Sequence, residues 1–95
     1  SYLEVLKVIK YISFDEFNKS INKIKNDKLH NNTIQVIIEE LSNALKPYVK
    51  NAGFYISRDE FQKITGRLLD KYEKDNQFFI ICTMLAMLDH ELFIK

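Results

Sequence analysis

Apolar residues recur every three or four positions through most of the chain, which is the period of an amphipathic helix. Four such stretches predict four main helices, and a shorter one over residues 2–10, with Leu3, Leu6 and Ile9 three positions apart, predicts a short amphipathic helix at the N-terminus. We therefore expect an all-α fold, a small helical bundle. The predicted inward-facing positions are Phe14, Phe17, Ile21 and Ile24; Ile34, Ile37, Ile38, Leu41 and Leu45; Phe61, Ile64, Leu68 and Tyr72; and Phe78, Ile81, Leu85, Leu88 and Leu92.

Polar residues at the borders of these stretches predict where the helices begin. Ser13 with Glu16, and Ser57 with Glu60, each form the serine-to-glutamate spacing of a capping box. Two residues that favour an extended backbone precede each capping box, Tyr11 and Ile12 before the first and Tyr55 and Ile56 before the second. The remaining predicted signals are Asn32 or Thr33 as the cap of the third helix, Pro47 near its end, Gly53 in the break that follows, and Asn76 as the cap of the last helix.

A nine-residue segment occurs twice in the chain. Residues 11–19 read YISFDEFNK and residues 55–63 read YISRDEFQK, so seven of nine positions are identical. Such a repeat predicts two helix–turn–helix units, arranged around the last helix. The alternative is that the two segments share only a capping box and an amphipathic period.

The second of these units resembles an EF-hand. In this alignment Ile56 occupies the eighth loop position, where that family carries a β-bridging aliphatic residue, and Glu60 occupies the twelfth, where it carries a bidentate carboxylate. The apolar positions that carry the resemblance on the two helices are Leu41, Ala44, Leu45 and Tyr48, followed by Phe61, Ile64 and Leu68.

The calcium ligands of that family are largely missing. Val49 stands at the first loop position instead of aspartate, and Phe54 at the sixth instead of glycine. At the loop positions whose side chains ligate calcium in that family, only Asn51, Ser57 and Glu60 offer oxygens, and only Glu60 is a carboxylate. The resemblance thus implies a degenerate, non-calcium-binding helix-loop-helix pair and no metal site, with a calcium-responsive switch as the alternative.

Composition sets the class of protein. Of 95 residues, 46% are hydrophobic and 28% charged, which is typical of one globular domain. Fourteen Lys and Arg against thirteen Asp and Glu leave a net charge of +1, which argues against nucleic acid or an anionic membrane as partner. The longest uncharged apolar segment, Phe78–Leu88, is far shorter than the roughly 20 residues of a membrane span. We expect a single helical domain over residues 1–95, and the start at Ser1 indicates a domain excised from a larger protein or a processed chain. We expect an intracellular location because Glu4, Lys7 and Lys10 interrupt the apolar positions that a signal peptide would need.

The candidate catalytic residues do not form a recognisable constellation. His30 and His90 are the only imidazoles, and Cys82, the only thiol, lies within an apolar helix where a buried, inert thiol is expected. Asp89 and Glu91 flank His90, but consecutive helical residues point in different directions. Phosphate-binding, thiol-pair and serine-elbow motifs are absent from the sequence. We therefore expect that the protein is not an enzyme and that it has neither catalytic residues nor a cofactor.

Two basic strips leave another interpretation open. They consist of Lys19, Lys23, Lys25 and Lys28 on the second helix, and of Lys63, Arg67, Lys71 and Lys74 on the fourth. Acidic residues such as Asp70 and Glu73 interleave with the second strip, so we interpret both strips as solvated helix faces. The alternative is a helical accessory domain of a DNA-binding transcription regulator, with the strips touching phosphate.

Aromatic residues in excess of the inward-facing stripes point to a protein partner. A bundle of this size cannot bury every ring, and aromatic side chains are preferred anchors of protein interfaces. The sequence therefore predicts a non-catalytic protein–protein interaction or assembly domain with an aromatic-lined apolar patch, possible partners being another protein or a second copy. The candidate partner-binding residues are Tyr48, Phe54, Tyr55, Phe79, Leu88 and Phe93.

Overall fold

Each half of the chain passes from a helix into a short strand and then directly into another helix. The structure, a computed structural model, describes residues 2–29 and 31–95. Its elements are α1 (Tyr2–Lys7), β1 (Ile9–Ser13), α2 (Phe14–Ile24), α3 (Asn32–Ala44), β2 (Gly53–Ser57), α4 (Arg58–Lys71) and α5 (Phe78–Asp89), with π-helical turns at Lys25–Leu29 and His90–Ile94 and a 3-10 turn at Lys46–Tyr48.

Two serines mark the change from strand to helix. Ser13 and Ser57 both have extended backbone, with ψ of 156° and 158°. The Oγ atom of Ser13 accepts the N–H of Glu16 at 3.1 Å, and that of Ser57 accepts the N–H of Glu60 at 3.2 Å. Each bond satisfies a donor that the first helical turn leaves without a backbone partner. The predicted starts of α2 and α4 are confirmed.

The asparagine residues predicted the starts of α3 and α5 less accurately. The cap of α3 is Asn31, one position before the predicted residues, and its Oδ1 accepts the N–H of Ile34 at 2.9 Å. The prediction that Asn76 caps α5 is wrong. Instead, Asp75 accepts the N–H of Gln77 at 2.7 Å, one turn before the helix. Several polar residues in succession can each supply a cap, and local sequence does not choose among them.

The fold is mostly helical, but it is not purely all-α as predicted. β1 and β2 form a two-stranded antiparallel sheet, in which Tyr11 lies opposite Tyr55 and Ile12 opposite Phe54. The extended pairs before the two capping boxes supply these strands. The backbone N–H and C=O groups of each strand form hydrogen bonds with the other strand, which satisfies their need for partners. Because equivalent residues of the sequence repeat, Tyr11 and Tyr55, face each other, an approximate twofold axis passes between them.

The first helix is shorter than its apolar spacing predicts. It ends at Lys7, and Ile9 and Lys10 belong to β1. In a strand, alternate side chains point to opposite faces. Ile9 is therefore on the solvent face of the sheet, whereas Ile12 is on its buried face.

The core lies between the sheet and the four longer helices. α5 packs against α2, α3 and α4, so the most apolar helix has neighbours on three sides. Its buried residues are Ile81, Met84, Leu85 and Leu88. The other buried hydrophobic side chains are Ile12, Phe17, Ile21, Ile24, Ile34, Ile37, Ile38, Leu41, Leu45, Phe54, Ile56, Phe61, Ile64, Leu68 and Leu92.

Gly66, in the middle of α4, has no packing reason to be glycine. A Cβ atom placed there meets no atom within 4 Å apart from its own helix. Glycine costs a helix roughly 1 kcal/mol relative to alanine. We therefore expect Gly66→Ala to raise the free energy of unfolding by about 0.5–1 kcal/mol in urea titrations. A lower midpoint at unchanged slope would contradict this expectation.

Candidate functional site: an apolar surface on the sheet

The solvent face of the sheet and the chain segments beside it form a continuous apolar surface. Ile9 and Tyr55 belong to the strands, and the neighbouring Val8 and Ile94 are 64% and 52% exposed. Ile9 itself is 52% exposed and Tyr55 44%. We call this the ribbon surface; it consists of Val8, Ile9, Tyr11, Tyr55, Phe93 and Ile94.

A groove runs along one side of the ribbon surface, between the start of β1 and the C-terminal turn. Its volume is about 360 Å³, and its apolar walls come from Leu6, Val8, Ile9, Phe93 and Ile94. We call it the C-terminal groove. Phe93 is half-buried because its ring also packs against that of Phe61, with centroids 5.2 Å apart. One face of the Phe93 ring is thus anchored to the core while the groove remains open.

Among the described residues that line the C-terminal groove, the charged ones are Lys10 and Arg58. Both are paired with carboxylates outside the groove, Lys10 with Glu16 at 3.6 Å and Arg58 with Asp89. Arg58 binds Asp89 through two nitrogens, with Nη2 2.8 Å from Oδ2 and Nε 3.2 Å from Oδ1. Lys10 donates to the carbonyl of Leu92, and its Nζ lies 5.9 Å from the centre of the Phe93 ring. These contacts hold both side chains against the groove wall. A ligand with apolar and acidic groups complements such a groove better than a basic one.

A second groove adjoins the first at Ile9, which lines both. This loop groove has a volume of about 460 Å³ and is lined also by Tyr48, Tyr55 and Ile56, together with Ser57 and the charged residues Lys7, Asp59, Glu60 and Lys63. The Tyr48 hydroxyl donates to Glu60 Oε2 at 3.0 Å. This hydrogen bond to the carboxylate raises the pKa of Tyr48 above its ordinary value. The bond also holds the 3-10 turn against α4.

The structure brings three of the six predicted partner-binding residues to these grooves. Tyr48 and Tyr55 line the loop groove, and Phe93 lines the C-terminal groove. Phe79, 84% exposed on α5, lines neither of them.

Phe54 and Leu88, which were predicted to meet a partner, are buried in the core. The ring of Phe54 makes edge-to-face contacts with those of Phe14 and Phe17, each at 5.2 Å between centroids. Leu88 is fully buried at 0% exposure, on the side of α5 that meets the other helices. In their place the ribbon surface uses aliphatic residues that the aromatic criterion did not select, namely Val8, Ile9 and Ile94. Residues 9–12 read IKYI, and an alternating pattern would have placed Ile9 and Tyr11 on the buried face, so no local signal identified Ile9 as exposed.

The other candidate groups are separated or engaged elsewhere. Asp89 binds Arg58, whereas Glu91 binds Lys23, and His90 is exposed. Cys82 is partly exposed rather than buried as expected. His30 lies outside the described residues. Glu60, the twelfth residue of the EF-hand alignment, accepts from Tyr48 and lies 3.3 Å from Lys63. Within residues 2–29 and 31–95, no group of three or more His, Cys, Asp or Glu could hold a metal ion.

Acidic neighbours partly neutralise the two basic strips. Lys63 pairs with Asp59 and Glu60, and Lys71 with Glu40. On the other strip Lys23 pairs with Glu91, and the side chain of Lys28 lies outside what the structure describes.

Comparison with known proteins adds no relative to this description. No protein-family model, curated protein or solved structure matches the chain. Among the described residues, no helix combines the length and the apolar character that crossing a membrane requires.

Proposed function

We propose that this chain is a non-catalytic protein-interaction domain that binds an apolar segment of another protein on the ribbon surface. The observation that carries the proposal is the continuous exposure of Val8, Ile9 and Ile94 beside two connected grooves. Exposed apolar groups of this kind lose unfavourable hydration when a partner covers them. Tyr55 and Phe93 supply aromatic anchors with few rotamers to restrict on binding.

The charge of the C-terminal groove favours an amphipathic ligand with acidic residues. Lys10 and Arg58 line this groove, no carboxylate occurs among its described lining residues, and the carboxylates of Glu16 and Asp89 pair with the two cations from outside it. Acidic side chains at the edge of an apolar ligand stripe would approach these cations, and basic side chains would be repelled. A short helix with apolar residues three and four positions apart is the ligand that fits such a groove.

A metal-free EF-hand-like pair is the structural class that we propose for this domain. The pairing of β1 with β2 supports it, because Ile56 lies in β2 at the position where the resemblance expects a β-bridging residue. The loop before α4 also supports it, since the Glu60 carboxylate is engaged by Tyr48 and Lys63. In this proposal the loop over residues 49–60 contributes to packing and to partner binding, and not to calcium binding.

Selection from a peptide library tests the proposed function. We expect displayed peptides selected on the purified protein to carry apolar residues at helical spacing with acidic residues beside them. The variant Ile9→Asp/Ile94→Asp should weaken their binding at least tenfold, because it places carboxylates in the apolar wall. Val36→Asp is the matched control, since Val36 is 46% exposed on α3 and lines neither groove.

The proposal is contradicted if the library yields no enriched sequence. It is also contradicted if the enriched peptides bind the double variant as tightly as they bind the parent protein, or if Val36→Asp weakens their binding as much as the double variant does. Circular dichroism of each variant shows whether it remains folded. Ile9 and Ile94 are each 52% exposed and Val36 is 46% exposed, so we expect all of these variants to fold.

A further inference from the structure

The outward face of α5 carries a large exposed aromatic residue and no charge over three turns. Phe79 is 84% exposed, and Thr83, Ala86 and His90 follow it on the same face at spacings of four, three and four. No charged residue occurs from Phe78 to Leu88. The other sides of this helix pack against α2, α3 and α4. An exposed face that combines an aromatic side chain with few charges is typical of the centre of a protein interface.

The same face also contains a hollow. It has a volume of about 460 Å³, lies between α5 and the end of α2, and is lined by Lys23, Thr83, Ala86, Met87, His90 and Glu91. Its centre along the helix is midway between Thr83 and His90. At about 1.5 Å per residue, that point is about 11 Å from Phe79. One helix face thus presents a projecting ring and a recess of the size that receives a side chain.

We propose that a second copy of this chain covers the α5 face, with the two α5 helices antiparallel and a twofold axis near Thr83. In this arrangement Phe79 of each copy enters the hollow of the other. A twofold interface uses the same patch on both subunits, so a patch that contains both a projection and its recess is self-complementary. Antiparallel α5 helices also place opposite ends of their macrodipoles side by side.

Charge complementarity at the rim favours a second copy over another occupant. With the axis at Thr83, the level of Asp75 in one copy corresponds to the level of Glu91 in the other. Glu91 is paired with Lys23, whose side chain remains 47% exposed. Glu91 also pairs with Lys95 at 3.5 Å, so two lysines and one glutamate leave this cluster with one net positive charge. Asp75, in the turn before α5 of one copy, therefore faces a net positive cluster of the second copy at both ends of the interface. A parallel arrangement would instead bring Lys23 near Lys23 and Asp75 near Asp75.

The size of the face predicts a weak dimer. A single helix face of three turns is smaller than the roughly 800 Å² per partner of a standard stable interface. The two copies should therefore exchange rapidly, and the fraction of dimer should rise with protein concentration. This inference is separate from the proposed function, because the α5 face shares no residue with the ribbon surface.

Disulfide trapping tests both the dimer and its direction. In a Cys82→Ala background, we expect Thr83→Cys to form a cross-linked dimer at least ten times faster than His90→Cys. Thr83 lies at the axis, whereas the two copies of residue 90 are about 21 Å apart along antiparallel helices. Asn43→Cys, at an exposed position of α3, measures cross-linking by random collision.

Phe79→Glu added to the Thr83→Cys protein should lower the cross-linking rate at least tenfold, since it removes the projecting ring and places a charge in the interface. The Ile9→Asp/Ile94→Asp change should leave that rate unaltered. Thr83→Cys cross-linking no faster than Asn43→Cys would overturn the dimer. Equal rates for Thr83→Cys and His90→Cys would overturn its antiparallel direction.

Discussion

Leu88→Glu should leave the protein largely unfolded at room temperature. Leu88 is fully buried on the inward side of α5. The substitution removes a core side chain, which costs 2–5 kcal/mol when the change is to alanine, and in addition buries a carboxyl group without a partner. A loss of more than about 4 kcal/mol is comparable with the whole stability of a small domain. Far-ultraviolet circular dichroism and thermal melting would show the loss of helix and of a cooperative transition.

Phe79→Glu is the matched control on the same helix. It introduces the same charge at a residue that is 84% exposed, so we expect the helical signal and the melting temperature of dilute protein to stay close to those of the parent. The contrast between the two variants separates a buried from an exposed position of α5. A Leu88→Glu protein that melts cooperatively near the parent temperature would mean that α5 is oriented differently.

Gly53→Ala should be the second most damaging substitution. A Cβ atom at Gly53 would lie 2.4 Å from the carbonyl oxygen of Ile12 and 2.8 Å from the ring of Tyr11. The Tyr11 ring could rotate away, but the Ile12 carbonyl belongs to the backbone of β1, so the strands must separate locally. We expect the free energy of unfolding to fall by about 2–4 kcal/mol, measured by urea titration.

The natural control for this variant is Gly66→Ala, which makes the same chemical change where the space is open. The two substitutions should have opposite signs. Backbone conformation does not account for the difference, because neither glycine has a positive φ. A Gly53→Ala protein as stable as the parent would contradict the close approach of β1 and β2 at this point.

Local chemistry made some elements predictable. Ser13 and Ser57 each combine a cap with a glutamate three residues later, and both α2 and α4 start there. The information for such a start lies within four residues, so no distant contact is required. The apolar faces of the main helices were largely predictable: Ile34, Ile37 and Leu41 of α3 are all buried, whereas Phe14, predicted to face inward, is 37% exposed. A helix that must bury one face repeats apolar residues at its own period.

The candidate site was only partly predictable. Aromatic content singled out Tyr48, Tyr55 and Phe93, which line the grooves, but it could not tell them from Phe54, which packs between Phe14 and Phe17. Whether a ring is exposed depends on which other side chains reach it. Ile9 was missed for a related reason. Helical spacing assigned it to the inward face of the first helix, and only the pairing of β1 with β2 turned it toward solvent.

By itself, the sequence determined that four main helices form, where two of them begin, and that two equivalent segments are extended before those helices. These features depend on hydrogen bonds and apolar periods within a few neighbouring residues. Tertiary structure alone decided that the two extended segments pair with each other, that α5 lies among three helices, and that Val8, Ile9 and Ile94 share one surface. Those outcomes depend on contacts between residues far apart in the chain. Each such contact forms only if its favourable energy exceeds the entropic cost of closing the intervening loop.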